Sequence, residues 1–262
     1  MSSLRYAAFG HRLPQPLAIP LFGDRRRYGQ KPFPDDPCWR RWQEIYDEFN
    51  MGTQHSGAHR LVNYSGYRVM KRIDLSGRRV LELGAGNVGH MPWWRGRPAE
   101  YHVLDVNPGM LAEAEKSLSA AGVQHSAHLQ PHGEVASLPF PDAAFDVVVS
   151  FYSLEHMHPL ESYVTEVARI LAPGGHLIGA VPTEGGLGWG LARFLTSRRW
   201  FKKNTDLDFD KLICWEHPNF AGEIARCLDS NLSREHVSLF PFPFLPLIDP
   251  NLILRFVYQK AP

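Results

Sequence analysis

The chain has 262 residues, 28 Lys+Arg against 27 Asp+Glu, and is 44% apolar. That length suits one large domain or two small ones and can bury a core without disulfides or a structural metal. A net charge of +1 excludes the broadly basic footprint of a nucleic-acid-binding domain, and the apolar content excludes global disorder.

Cys38, Cys214 and Cys227 are widely spaced, with no CxxC, which reads as reduced thiols rather than a disulfide framework. No run nears the ~18 apolar residues that span a bilayer. The first ten residues, MSSLRYAAFG, lack the basic-then-apolar pattern of a secretory signal. These features predict a cytoplasmic protein with no membrane span, and they leave its oligomeric state open.

In chain order, residues 1–37 are rich in Pro, Gly and Arg and predict an extended arm, wrapped on the domain or mobile. From Pro37, apolar residues recur at helical spacing (Trp39, Trp42, Ile45, Tyr46, Phe49), and Asp35-Asp36 before Pro37 suit a helix N-terminus. A second helix is predicted over 57–72. Residues 79–83 read as a buried strand, 101–105 as another, and 108–121 as a helix capped by Asn107 with Pro108 at its first position. A short apolar strand (FDVVVS, 145–150), a helix over 160–171 closed by Pro173-Gly174-Gly175, and a strand over 176–181 follow. Helices over 185–196 and 219–228 and two late strands, 235–240 and 252–258, complete the pattern. The alternation predicts an α/β fold: a Rossmann-like, doubly wound and mostly parallel sheet with an antiparallel late pair.

The strongest local signal is Val80-Leu81-Glu82-Leu83-Gly84-Ala85-Gly86-Asn87-Val88-Gly89. A buried strand ending in closely spaced glycines turns tightly and lets a ligand approach the main chain. Asp105 ends the next strand, 21 residues after Gly84, where a carboxylate can accept hydrogen bonds from a ribose diol. Gly84, Gly86 and Gly89 also satisfy GxGxxG, so a dinucleotide site fits these features too. Glu82 tilts the choice. A carboxylate two residues before the first glycine would repel a pyrophosphate but accept hydrogen bonds from a cationic amino group.

Three downstream segments stand in register with this turn: Gly133 to Asp142 (GEVASLPFPD), the Phe145-Asp146-Val147-Val148-Val149 strand, and Arg169 to Gly175 (RILAPGG). Together the series resembles the class I S-adenosylmethionine-dependent methyltransferases, in particular the small-molecule group called type 11, over residues 75–182. The resemblance implies S-adenosylmethionine as cofactor. Glu82 and the turn Gly84, Ala85, Gly86 would hold its methionine part, and Asp105 with Val106 its ribose side. Glu134 would lie near the adenine amino group, Val135 would offer its amide to the ring, and Ser150 would lie beside the cofactor. One departure from the family pattern is that its third glycine usually stands where this chain has Val88. The implied layout is an arm (1–37) and one domain (38–262): N-terminal helices over 38–74, the cofactor core, a substrate cap over 183–234, and final strands over 235–262.

The implied partner is a small-molecule methyl acceptor, not nucleic acid. The reading is transfer to a hydroxyl of a sugar or natural-product metabolite, with N- or C-methylation or a non-catalytic binding role as alternatives. An acceptor hydroxyl needs a base near neutrality, which suits imidazole. His156 and His217 are the candidates, with Glu184 behind them. No metal is expected: His125, His128 and His132 have helical ligand spacing, but Pro131 and strand-like surroundings break it. Tyr152, Trp189, Phe194, Trp200 and Trp215 are candidate pocket walls. Arg193, Arg198, Arg199, Lys202 and Lys203 form either an anion site or a solvated helix face.

Overall fold

The computed structural model describes Tyr6 and residues 8–54, 57–130 and 137–262, the helical residues 47–54 and 57–60 by their backbone alone. The arm is not extended throughout. It forms α1 (Gln15–Phe22) and a short α2 (Arg25–Tyr28), both broken from their neighbours by Pro or Gly. It wraps: the Gly10 amide donates to Asp249 Oδ1 at 2.7 Å, and Leu21 and Phe22 pack with Phe220.

α3 (Pro37–Gln54) starts where Asp36 Oδ1 accepts the Cys38 and Trp39 amides, the cap its sequence predicts. α4 (Gly57–Tyr67) passes into a 3₁₀ turn over Arg68–Arg72. Then come β1 (Arg79–Leu83), β2 (Glu100–Asp105), α5 (Pro108–Ala120), β3 (His125–Leu129) and β4 (Phe145–Phe151). α6 (Leu160–Ile170) runs directly into β5 (Leu171–Pro182). The turn expected at Pro173-Gly174-Gly175 is instead absorbed into β5, where the register against β4 shifts between Phe145 and Val147. The remaining elements are α7 (Leu187–Leu195), α8 (Ser197–Asn204), α9 (Phe209–Glu216), α10 (Ala221–Asn231), β6 (Ser233–Phe240) and β7 (Ile253–Gln259).

The seven strands lie in the order β3-β2-β1-β4-β5-β7-β6. β7 runs antiparallel to both its neighbours and the other pairs are parallel. Period-two alternation divides the core between two faces. Leu81, Leu83, Val148 and Leu177 pack with Val164, Val167 and Ile170 of α6 and Ile224 and Leu228 of α10. Val80, Val147, Val149 and Ile178 pack with Leu111, Ala114 and Leu118 of α5. Each such side chain taken fully from water contributes about 1.5–3 kcal/mol. Strand order reverses between β1 and β4, so the crevice for a ligand opens at the carboxyl ends of β1, β2, β4 and β5. No helix among the described residues is long and apolar enough to cross a membrane.

Candidate functional site

The turn after β1 has left-handed backbone at three positions. Gly84 lies at φ +71° and Gly86 at +50°, and Val88 adopts +52°. A Cβ at Gly84 would stand 2.5 Å from the Ser153 Cβ, whereas nothing lies within 4 Å of one built at Gly86. The turn is therefore packed from below and open above. Val88, where the related pattern has glycine, keeps the conformation glycine favours, although β-branched residues strongly resist it. Its side chain is buried among Met91, Leu111 and their neighbours, and that packing holds it there.

Glu82 does not face the open side. It is 1% exposed, with Oε1 2.9 Å from His90 Nε2 and Oε2 accepting the Tyr101 hydroxyl at 2.7 Å. His90 Nδ1 accepts the Trp94 indole N–H at 2.8 Å; indole can only donate, so Nε2 carries the ring proton and donates it to Glu82. Both carboxylate oxygens thus take part in a buried Trp94–His90–Glu82–Tyr101 chain under the turn.

Asp105 closes β2 beside it. Its Oδ1 accepts the Asn107 amide at 2.8 Å. Burial pushes its carboxyl up, against the amides of Asn107, Val106 and Ala85, which favour the charged form. Val106 is 39% exposed at the rim. Ser150 is fully buried: the Ser153 hydroxyl donates to the Leu83 carbonyl at 2.8 Å, so the Ser150 hydroxyl donates to Ser153 Oγ at 2.6 Å. Ser150 thus braces the turn from beneath. Glu134 and Val135 lie outside the described residues, as does His132.

A side chain built at Gly86 would meet nothing within 4 Å, and nearby the Asp105 carboxylate is engaged by the amides of Ala85, Val106 and Asn107. None of these residues brings a positive charge, and Asp105 would repel phosphate.

Beyond β4 and β5 a second cluster forms. His156 and His217 lie with ring centroids 4.6 Å apart. His156 Nδ1 contacts the Glu216 carbonyl at 2.5 Å and Glu216 Oε2 at 3.5 Å, and its Nε2 lies 3.9 Å from Glu155 Oε1. Burial would pull the His156 imidazole down, but hydrogen bonding to Glu216 and the charges of Glu155 and Glu216 push it up to about 9. Burial draws His217 the other way, below the ordinary imidazole value, and Glu184 only partly offsets this. Burial pushes the Glu155 carboxyl up to about 7.

Glu184, 1% exposed, accepts from Arg193 and from the Trp189 indole at 2.8 Å. Burial opposes its ionisation, yet Arg193 and His217 hold it far below the usual carboxylate range. His217 Nδ1 stands 2.8 Å from Glu184 Oε1 but outside hydrogen-bond geometry. Among the described residues, three buried polar atoms here lack a hydrogen-bond partner: Glu155 Oε2, Arg193 Nη1 and His217 Nδ1. The ligand-type atoms of Glu155, His156 and His217 lie within 4.8 Å of one another, close enough to share a proton or to hold a cation.

Distant segments position this cluster. Asn219 Nδ2 donates to the Leu154 and Met157 carbonyls at 2.8 and 2.5 Å, and the Trp42 indole donates to Glu216. Arg25 of the arm lies 3.6 Å from the Phe220 ring centroid and donates to the carbonyls of His217 and Pro218. Glu155, Glu216, Asn219 and Arg25 carry no local signal in the sequence; Glu184 and the two histidines were legible there, and Arg193 only as part of a basic cluster, whereas here it turns inward to Glu184. Trp215 does not line the mouth. It is buried against Trp39, with its indole bonded to the Tyr28 carbonyl. Tyr152 donates to the Asn63 carbonyl at 2.9 Å, and Phe194 and Trp200 face outward. His125 and His128 sit on β3, where His128 Nε2 is 3.0 Å from His102 Nδ1 and makes no ligand trio among the described residues.

Comparison with known proteins bears on this geometry. Residues 81–179 match the family model described as a methyltransferase domain. The chain is 34% identical over 134 residues to a fatty-acid O-methyltransferase of Mycolicibacterium smegmatis, covering 49% of this chain and 47% of that protein. It is 32% identical over 114 residues to a phthiotriol/phenolphthiotriol dimycocerosates methyltransferase of Mycobacterium leprae, covering 42% and 40%. The chain thus spans less than half the length of these curated relatives. Its fold matches a SAM dependent methyltransferase from Aquifex aeolicus (TM-score 0.54, 15% identity, 81% of this chain and 98% of that one). It also matches the N-methyltransferase NodS from Bradyrhizobium japonicum in complex with S-adenosyl-L-homocysteine (TM-score 0.54, 16% identity, 87% and 100%).

Proposed function

We propose that this chain, whose residues 81–179 match the methyltransferase-domain family model, moves the methyl group of S-adenosylmethionine to a hydroxyl oxygen of a small, lipid-like acceptor. The observation that carries the proposal is the cluster beyond β4 and β5, where the ligand-type atoms of Glu155, His156 and His217 lie within 4.8 Å of one another and Glu155 Oε2 and Arg193 Nη1 are buried without a hydrogen-bond partner. Buried polar atoms are nearly always satisfied, so these two orphaned atoms support a polar ligand at this cluster. Both curated relatives bear the names of lipid-directed methyltransferases.

S-adenosylmethionine, when bound, supplies a carbon already activated by the sulfonium charge. The rest falls to the chain. Asp105 binds the ribose hydroxyls beside Val106, and the Gly84, Ala85, Gly86 turn receives the methionine part. Glu82 and Ser150 position that turn from below. Glu134 and Val135 are assigned the adenine on the family resemblance alone. His217 takes the acceptor's proton, because its burial keeps a neutral imidazole at neutral pH. His156 stays protonated beside it and, with Arg193, stabilises the oxygen as charge develops.

The test is radiolabelled methyl transfer with the purified chain, over hydroxy fatty acids and long-chain alcohols, then sugars and phenolic natural products. Incorporation into an ether of a lipid hydroxyl, lost in His217→Ala, supports the reading. Transfer only to amines or carbon, or undiminished transfer in His217→Ala, overturns it.

A further inference from the structure

α7 presents two unlike sides. Trp189 and Arg193, four residues apart, turn inward to Glu184. Leu191, Phe194 and Leu195, spaced i, i+3, i+4, turn outward and are 50%, 37% and 51% exposed. α8 continues the division, burying Phe201 and exposing Trp200 among Arg199, Lys202 and Lys203. Arg198 is tied to Asp210, whereas Arg199, Lys202 and Lys203 form no ion pair among the described residues. A cavity of about 560 Å³ opens at this face, with Phe194, Leu207 and Phe209 as apolar walls, Arg198, Arg199 and Lys202 as cationic ones, and Asp206 as an acidic group outnumbered by them.

Isolated exposed leucines need no explanation, but a contiguous apolar stripe rimmed by cations does. We propose that the α7–α8 face seats on an anionic lipid bilayer, with Leu191, Leu195 and Trp200 entering the headgroup layer. The cavity between Phe194 and Lys202 receives one anionic headgroup. Large apolar side chains beside unpaired Lys and Arg are the composition of an interfacial helix. A second copy of this chain fits poorly, since two such cationic faces repel. A nucleic acid would leave the leucine stripe unused.

The inference goes beyond methyl transfer, and its test needs neither cofactor nor acceptor. The full chain is sedimented with vesicles of phosphatidylcholine alone and of phosphatidylcholine with phosphatidylglycerol. The expected result is capture by the anionic vesicles only, weakened by salt. Capture should fall on the order of a hundredfold in R199Q/K202Q/K203Q, at ~1 kcal/mol per surface cation. L191S/L195S should weaken it too, and both variants carry their changes at exposed positions, with folding checked by circular dichroism. Equal capture by neutral vesicles, or anionic capture unchanged in either variant, overturns the proposal. So does a concentration-dependent dimer that these variants dissociate, or duplex DNA binding that only the charge variant loses. Absent methyl transfer with intact vesicle binding would instead count against the proposed function alone.

Discussion

His156 and His217 stand with ring centroids 4.6 Å apart, yet their surroundings drive them in opposite directions. Burial lowers His217, while the Glu216 contacts override burial and raise His156 to about 9. Two like groups whose pKa values are driven apart are suited to divide acid and base roles.

The first prediction concerns rate against pH. kcat should rise as His217 loses its proton below pH 6.5, stay level, and fall as His156 deprotonates near 9. His217→Ala should lower kcat roughly 10²–10⁴-fold. His156→Gln should remove the alkaline limb, and a profile that keeps that limb assigns it elsewhere.

Stability should also follow His156. Its folded pKa lies above the unfolded value, so its contribution is whole below about 6.5 and is lost as pH rises through about 9. Thermal unfolding between pH 7 and 9 should show Tm falling in the native chain, and His156→Gln should flatten that slope.

Asp105→Ala should weaken S-adenosylmethionine binding about ten- to a hundredfold by calorimetry, the worth of charge-assisted hydrogen bonds to a diol. Asp105→Asn tests the charge separately, since an amide oxygen can still accept the Asn107 amide.

Glu82 makes a prediction about folding rather than chemistry. Glu82→Ala leaves both the His90 N–H and the Tyr101 hydroxyl buried without their acceptor. It should cost about 2–6 kcal/mol in denaturant unfolding, at ~1–3 for each of the two orphaned groups. A loss under ~1 kcal/mol, with cofactor binding abolished, would return Glu82 to a direct role at the ligand.

Exhaustive dialysis against EDTA decides how Glu155, His156 and His217 are used. In the acid–base reading the treated protein keeps full activity. A loss restored by one divalent cation, and absent in Glu155→Gln, assigns the trio to metal.

Much of the frame could be read from local sequence. Residues 79–83, Asn107 ahead of Pro108, and the FDVVVS segment carry periodicity and capping that neighbours alone dictate, and the structure forms these elements within a residue or two. β5 began early because its pairing with β4 tolerates a shifted register, which no local pattern encodes. The helices of the arm escaped notice because Pro16 and Pro20 mask an apolar stretch whose partner, Phe220, lies some 200 residues away. The same holds at the mouth. His156 and Glu216 meet across 60 residues and Asn219 reaches Leu154 across 65, so the histidines were visible as residue types but their opposed states were not. The hydrogen bonds of Glu82 to His90 and Tyr101 are likewise set by the fold and not by local pattern.

Arg25 grips the carbonyls of His217 and Pro218 across 192 and 193 residues of chain. During synthesis the arm leaves the ribosome well before the loop it clasps. At about 5–20 residues per second, roughly 10–40 s separate the two. For that interval the sheet can gather its early strands, but the rim above β4 and β5 has no clasp. A nascent chain halted near residue 200 would thus lack the clasp over the rim above β4 and β5.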